Sequence, residues 1–89
     1  MRVAQGSDLS FTTTSDDYKA RLTGPDNLDE EVRLEKELPT KQPGFYTLTV
    51  MDRRMRTLTA TLEGQEGFAV PRTESATKKE MVTLRYEVH

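Results

Sequence analysis

Hydrophobic and polar residues alternate one by one along most of this chain, which is the pattern of half-buried β-strands. In the clearest run, 45–51, aromatic and aliphatic residues occupy the even positions and threonines two of the odd ones. Similar alternation recurs in the runs 9–14, 18–23, 55–62 and 80–88. The predicted inward side chains are Leu9, Phe11, Tyr18, Ala20, Leu22, Tyr46, Leu48, Val50, Leu58, Ala60, Leu62, Val82, Leu84, Tyr86 and Val88.

Turn-forming residues separate these runs. Gly, Pro, Asp and Asn make 24–27 the strongest turn signal, and Pro43-Gly44 marks another. The short reversal at 52–54 lies between two alternating runs and therefore predicts a β-hairpin. After a turn at 64–67, the sequence predicts a short strand at 68–70.

The end of that short strand and the segment after it follow from composition. Pro71 is expected to end the strand, because proline cannot donate a ladder hydrogen bond. Residues 72–79 are polar throughout and are predicted to form a loop.

Segment 28–38 admits two interpretations. Asp or Asn before it, acids in its first turn and Pro39 after it favour a helix. As a strand it places Val32, Leu34 and Leu38 on one face, whereas a helix would put glutamates inside its apolar arc. The strand is the preferred interpretation.

Six or seven short strands at intervals of roughly 8–12 residues are typical of an antiparallel sandwich or a small barrel. The sequence therefore predicts one all-β domain over residues 1–89. We expect a small antiparallel β-sandwich of the immunoglobulin-like or Greek-key type. The alternative is a small β-barrel with one short helix at 28–38.

The segment Pro43-Gly44-Phe45-Tyr46-Thr47-Leu48-Thr49-Val50-Met51-Asp52 resembles a strand of immunoglobulin-like modules in bacterial and phage proteins. In those modules a Gly and an aromatic residue open a strand of alternating Thr and aliphatic residues that ends at Asp. The resemblance covers ten residues and implies a sandwich architecture. Antibody-type domains also carry a Cys pair and a Trp, and this chain has neither.

Composition changes the picture by making the core small. Apolar residues other than glycine are 34% of the 89, and thirteen residues are Thr. Ordinary globular domains reach about 45–50% with glycine counted. The chain has no Cys, so no disulfide can stabilise it. Association with other copies or with a larger assembly is therefore an expected source of stability.

Charge and targeting signals argue against nucleic acid and membrane as partners. The net charge is −2, with nine acids and six bases in residues 1–44 but six acids and seven bases in 45–89. No apolar run approaches the roughly 18 residues of a membrane-spanning helix. Residues 1–6 lack the apolar stretch of a signal peptide, which predicts a cytoplasmic or virion location.

Catalytic chemistry has little support in this sequence. The single His is residue 89, so no Ser–His–acid arrangement has a well-placed base. The acidic pairs and triplets lack the spacing of a calcium loop, and no glycine-rich phosphate loop is present. We therefore expect no catalytic residue, no metal and no cofactor.

The predicted hairpin tip is the first candidate contact site. It contains Met51, Arg53, Arg54, Met55 and Arg56. Both residue types are enriched in protein interfaces, and guanidinium groups bind carboxylates or phosphates. The alternative is that the two methionines pair across the strands while the arginines keep the turn soluble.

Threonine-rich outer faces are the second candidate contact site. A flat, uncharged sheet surface can pack on a neighbouring subunit, and simple β-propensity is the alternative explanation. The predicted contacts are Thr47, Thr49, Thr57, Thr59 and Thr61, with Thr12 and Thr14 on the same kind of face.

Three functions fit these observations. The first is a non-enzymatic structural subunit that forms homo-oligomers or attaches to a larger particle, for example as a phage capsid-decorating or tail component. The second is a monomeric module that binds or inhibits a host protein, using the acidic stretch 26–37 or the arginines. The third is a small barrel that binds single-stranded nucleic acid.

Overall fold

A computed structural model describes residues 1–66 and 70–89, and within these ranges the secondary structure consists of β-strands without a helix. Eight strands follow one another along the chain. They are β1 (Arg2–Val3), β2 (Leu9–Thr13), β3 (Tyr18–Gly24), β4 (Leu28–Val32), β5 (Gly44–Asp52), β6 (Thr57–Glu66), β7 (Val70–Lys79) and β8 (Met81–Val88).

The strands form two sheets. The larger sheet has the order β1-β8-β5-β3-β4, and the smaller has the order β2-β6-β7. All neighbouring strands are antiparallel except β1 and β8, which are parallel. The predicted all-β fold and small β-sandwich are confirmed, with eight strands in place of six or seven.

The core lies between the two sheets and is filled by the side chains that the alternation placed inward. Leu22, Leu48 and Val50 of the larger sheet and Ala60 and Leu62 of the smaller one are all fully buried. Each fully buried aliphatic side chain contributes about 1.5–3 kcal/mol relative to exposure. Of the predicted inward set, Tyr18 alone is only half-buried, and its ring packs edge-on against Phe11 with centroids 6.3 Å apart.

Segment 28–38 begins as the preferred strand, and the helix alternative is wrong. Strand β4 pairs with β3 and ends at Val32, after which the chain runs irregularly to 43. Leu38 still reaches the core and donates its backbone N–H to the carbonyl of Leu9. The chain leaves the sheet because β4 is its edge strand, so the residues after Val32 cover the open side of the sandwich.

Residues 72–79 were predicted to be a loop, and this prediction is wrong. They belong to β7, which pairs with β6 along its whole length, and Pro71 lies inside β7 opposite Gln65. As an edge strand, β7 tolerates proline and carries charges on both sides. Of the short strand predicted at 68–70, residues 68 and 69 lie outside the described part of the chain.

The hairpin predicted from β5 and β6 does not form. The two strands belong to different sheets, so residues 53–56 cross from one sheet to the other. A second crossing at Glu80 joins β7 to β8 beside the first. The backbone N–H of Asp52 donates to the carbonyl of Glu80 (2.9 Å), and the N–H of Glu80 donates to that of Arg56 (3.2 Å).

Candidate functional site

A buried carboxylate, Asp52, organises the crossing at 53–56. Its side chain is 3% exposed, because Asp52 continues the inward-facing parity of β5. One carboxylate oxygen accepts the backbone N–H groups of Arg54 (2.8 Å) and Arg56 (3.3 Å), and the other accepts the hydroxyl of Ser15 (2.8 Å). Asp52 therefore fixes the shape of this loop from inside.

Arg56 supplies the positive charge that balances this carboxylate. Its Nε lies 3.2 Å from each oxygen of Asp52, and its Nη2 pairs with Asp16. The Arg56 guanidinium, together with Ser15 and the backbone donors, holds the pKa of Asp52 well below its usual range against the opposing effect of burial. Both carboxylates in turn raise the pKa of Arg56. Arg56 is thus an internal structural residue of this loop.

Arg53, Arg54 and Met55 project from the same loop and are called the crossover tip below. Both arginines pair with one carboxylate, Asp17, at 3.9 Å and 3.5 Å, and their side chains stay 56% and 69% exposed. Met55 is 66% exposed and holds a backbone φ of 60°, which is rare for a residue with a Cβ. Three of the five predicted contact residues therefore point to solvent together.

Met51, the remaining predicted contact residue, lies on the outer face of the larger sheet. It is opposite Met81 of β8, and Phe45 lies on the same face of β5. The exposures are 76% for Phe45, 45% for Met81 and 39% for Met51. Met51 and Met55 do not pair across strands, because β5 and β6 are in different sheets.

The predicted threonine surface is divided between two faces on opposite sides of the sandwich. Thr47 and Thr49 of β5 lie on the outer face of the larger sheet. Thr57, Thr59 and Thr61 of β6 lie on the outer face of the smaller sheet, as does Thr12. Thr14 follows β2 at the edge of the smaller sheet, and its hydroxyl accepts the backbone N–H of Thr59.

On the smaller sheet many of the hydroxyls bond to one another. Thr59 pairs with Thr77 at 2.6 Å, and Thr61 pairs with Ser75 at 2.7 Å between the hydroxyl oxygens. These cross-strand pairs stabilise the contact between β6 and β7. A threonine ladder whose hydroxyls are already paired accounts for itself as sheet structure.

Two stacked tyrosines hold the irregular segment at the opposite end of the sandwich. The rings of Tyr46 and Tyr86 are parallel with centroids 4.7 Å apart. The hydroxyl of Tyr46 donates to the carbonyl of Gln42 (2.7 Å), and that of Tyr86 donates to the carbonyl of Pro39 (2.9 Å). Burial raises the pKa of both phenols, so both remain neutral donors.

Next to these tyrosines lies an open cleft of about 630 Å³. Pro25, Leu28 and Pro39 give it apolar walls, and Gly44 closes one side. Gly44 has a φ of 144°, and a Cβ there would lie 2.4 Å from Pro25 Cγ, so this position requires glycine.

The charged side chains that line the cleft are mainly acidic. Asp8, Asp26 and Glu37 face one cation, Lys41. Asp26 accepts a hydrogen bond from Gln42 at 2.7 Å. In the part of the chain that the structure describes, Asp8 and Glu37 make no ion pair or side-chain hydrogen bond. The cleft therefore presents two carboxylates that are free to bind a cation.

The arrangement offers binding surfaces rather than reacting groups. Among residues 1–66 and 70–89, acidic and histidine side chains do not come together in a group that could hold a metal ion. Ser15 donates its hydroxyl proton to a carboxylate fixed by Arg56, so it has no adjacent base that would activate it. The same residues contain no helix of the length and apolarity needed to cross a membrane.

Sequence reasoning missed three features of these sites. Asp52 was assigned to a turn, although its even position continues the inward parity of Tyr46, Leu48 and Val50. Met81 was overlooked because its exposure matters only once β8 is known to pair with β5. The cleft joins segments far apart in the chain and leaves no local pattern.

The comparisons with known proteins add no relative to this description. The resemblance of Pro43–Asp52 to immunoglobulin-like modules stays a prediction about ten residues. The chain matches no protein-family model, no curated protein and no solved structure.

Proposed function

We propose that this chain is a non-enzymatic structural subunit that binds copies of itself through the outer face of its five-stranded sheet. The observation that carries the proposal is the position of Phe45, Met51 and Met81. These three large apolar side chains lie on one sheet face, and all are exposed. Aromatic residues, Met and Arg are the types enriched in the buried centre of protein interfaces.

The centre of this face is suited to packing against another sheet. Thr47 and Thr49 separate Phe45 from Met51 along β5 and are half-buried by their neighbours. Thr23 of β3 and Thr83 of β8 flank them in register. Short β-branched side chains give a smooth surface, and two sheets can pack face to face at about 10 Å.

Charged residues at the margin fit the same role. Lys19 and Arg85 are exposed on this face and make no side-chain ion pair within residues 1–66 and 70–89. Exposed Glu31 lies on the edge strand β4, opposite Arg21. A margin with both signs of charge can set the orientation of a second copy.

The size of the face is adequate for a specific contact. Five strands at about 4.8 Å spacing and up to nine residues at about 3.3 Å rise span about 600 Å². Standard interfaces bury about 800 Å² of surface on each partner. A capsid-decorating or tail component of a phage particle is one setting that such a subunit would suit.

Light scattering coupled to size-exclusion chromatography tests the proposal over a range of concentrations. We expect the wild-type chain to form a discrete oligomer. A variant with Phe45→Ser, Met51→Thr and Met81→Thr should have at least about tenfold weaker association. The matched control carries Thr12→Ser and Thr73→Ser on the other sheet and should behave as wild type.

Two results would overturn this proposal. One is a wild-type chain that stays monomeric at every concentration. The other is an oligomer whose mass does not respond to the three substitutions while circular dichroism shows the same fold.

A further inference from the structure

We infer that the crossover tip of one copy docks into the acidic cleft of the next copy, forming a head-to-tail contact. This inference rests on the proposed function, because it assumes that the chain assembles with itself. It uses a different surface from the sheet face. It also gives a role to the arginines that the buried Asp52 does not consume.

The tip and the cleft lie at opposite ends of the sandwich. Strand β5 begins beside the cleft at Gly44 and ends at Asp52, immediately before the tip. Nine strand residues span about 26 Å at about 3.3 Å per residue, so a tip cannot reach the cleft of its own chain. Contact between the two surfaces must join two copies, and its repetition produces a ring or a filament.

Charge is complementary between the two ends. At the tip, Arg53 and Arg54 share the single carboxylate of Asp17, which leaves one positive charge in surplus. At the cleft, Asp8 and Glu37 are exposed acids beside a single lysine. A guanidinium can bind a carboxylate through two parallel hydrogen bonds, which gives such a contact direction as well as attraction.

The exchange of partners at the tip is favourable on general grounds. The pairs of Arg53 and Arg54 with Asp17 are long and exposed, and such surface pairs contribute little to stability. Moving one guanidinium to a cleft carboxylate therefore sacrifices little in the free subunit. Asp17 keeps the second arginine as its partner.

Met55 has a matching place in the same contact. It is 66% exposed, and its backbone N–H donates to the carbonyl of Asp52 (3.0 Å), which fixes the direction of the tip. The cleft walls of Pro25, Leu28 and Pro39 offer an apolar surface for this side chain. A fixed loop loses little conformational freedom on docking.

The volume and charge of the cleft favour this occupant over others. Its volume of about 630 Å³ falls in the range of about 300–1,000 Å³ that is usual for binding clefts. Carboxylates at its rim repel phosphate groups, which disfavours nucleic acid. The most exposed cationic loop on the page that could enter it belongs to this same chain.

The experiment uses the chain with Phe45→Ser, Met51→Thr and Met81→Thr, so that the sheet face makes no contribution. The tip variant adds Arg53→Gln and Arg54→Gln, and the cleft variant adds Asp8→Asn and Glu37→Gln. All four added substitutions are at exposed positions and should leave the fold intact. The charge-matched control adds Lys19→Gln and Arg85→Gln.

We expect the parent chain and the control to gain mass with concentration in steps of one subunit. Each of the two variants alone should associate at least about tenfold more weakly. An equimolar mixture should form a complex of two chains and stop there, because only one intact tip and one intact cleft can meet. Raising the salt concentration should dissociate this complex.

A parent chain that stays monomeric without the sheet face would overturn the inference, whatever the wild-type chain does. A mixture of the two variants that stays monomeric would also overturn it. If the monomeric parent binds an added arginine-rich peptide, the cleft belongs to a foreign basic segment and the inference is equally wrong. Loss of association in the sheet-face variant concerns the proposed function alone.

Discussion

At one end of the sandwich an ionised carboxylate holds the crossing between the sheets, whereas at the other end two neutral phenols hold the segment 39–42. Asp52 receives a guanidinium, a hydroxyl and backbone N–H groups. Tyr46 and Tyr86 each donate one hydrogen bond to a backbone carbonyl. Both anchors are buried, but only one of them depends on charge.

The difference shows how each end can present its surface. Because Asp52 pairs with Arg56, the neighbouring Arg53 and Arg54 are left exposed on a loop of fixed shape. Because the tyrosines need no counter-charge, the acids near them remain available to a ligand. An ionic anchor therefore accompanies the basic surface, and a neutral anchor accompanies the acidic cleft.

Replacing Asp52 with Ala should break the ionic end and have the largest effect. The change leaves Arg56 without its buried partner and removes the acceptor for Ser15 and for backbone N–H groups. We expect the melting temperature to fall by roughly 10 °C or more, as removing one member of a buried polar network does. Circular dichroism during heating gives this value.

The control for that change lies in the same loop. Arg53→Ala removes a charge but no buried acceptor, and it should alter the melting temperature by less than about 2 °C. Equal effects of the two changes would show that Asp52 does not anchor the crossing.

Acid should separate the two ends further. The pKa of Asp52 is lowered in the fold, so its contribution to stability is present above about pH 4 and is lost as pH falls through the folded value. Between pH 5 and pH 2 we expect the wild-type melting temperature to fall roughly 5–10 °C more than that of Asp52→Asn. A residual slope should persist in the variant, because the pKa values of Asp16 and Asp29 are also lowered by their arginine partners. Parallel pH profiles would contradict an ionic anchor.

The two anchors also differ in how far sequence reasoning could find them. Alternation placed Tyr46 and Tyr86 inward because an aromatic residue at an even position is easily recognised as core. Their contact could not be predicted, since it depends on the register of β5 against β8. Asp52 obeyed the same parity, but a polar residue beside two arginines resembles a turn.

Local patterns failed wherever the answer depended on which strands become neighbours. A reversal at 52–54 between two alternating runs looks the same whether the strands pair or pass to different sheets. That choice also decided that Thr47 and Thr57 lie on opposite faces. Strand β7 was missed because an edge strand has few apolar contacts, and its Ala76 packs against the core only partly.

Removing one hydroxyl should weaken the neutral end by a smaller amount. Tyr86→Phe keeps the ring stacked on Tyr46 but loses the bond to the carbonyl of Pro39. One such hydrogen bond contributes about 1 kcal/mol, which corresponds to about 4–8 °C in a domain of this size. Urea unfolding at neutral pH measures the difference. An unchanged free energy of unfolding would mean that this hydroxyl does not anchor the segment.

Alkaline solution provides an independent check on the same variant. Burial raises the pKa of Tyr86, so the fold retains a proton that the unfolded chain loses above about pH 10. Stability of the wild-type chain should therefore fall as pH rises from that value. The fall should be less steep in Tyr86→Phe, and a steeper fall would contradict a buried neutral phenol.

The smallest expected effect on stability is also the one that relates the comparison to assembly. Arg54→Gln removes an exposed guanidinium that lies 3.5 Å from Asp17, a carboxylate that Arg53 can still neutralise. We expect the melting temperature to change by less than about 2 °C, because surface pairs of this kind contribute little. Differential scanning calorimetry measures this change, and a loss of 5 °C or more would place Arg54 among the anchors of the crossing. An unchanged melting temperature would separate Arg54 from Asp52 and Arg56, leaving its guanidinium available to a partner at no expense to the fold.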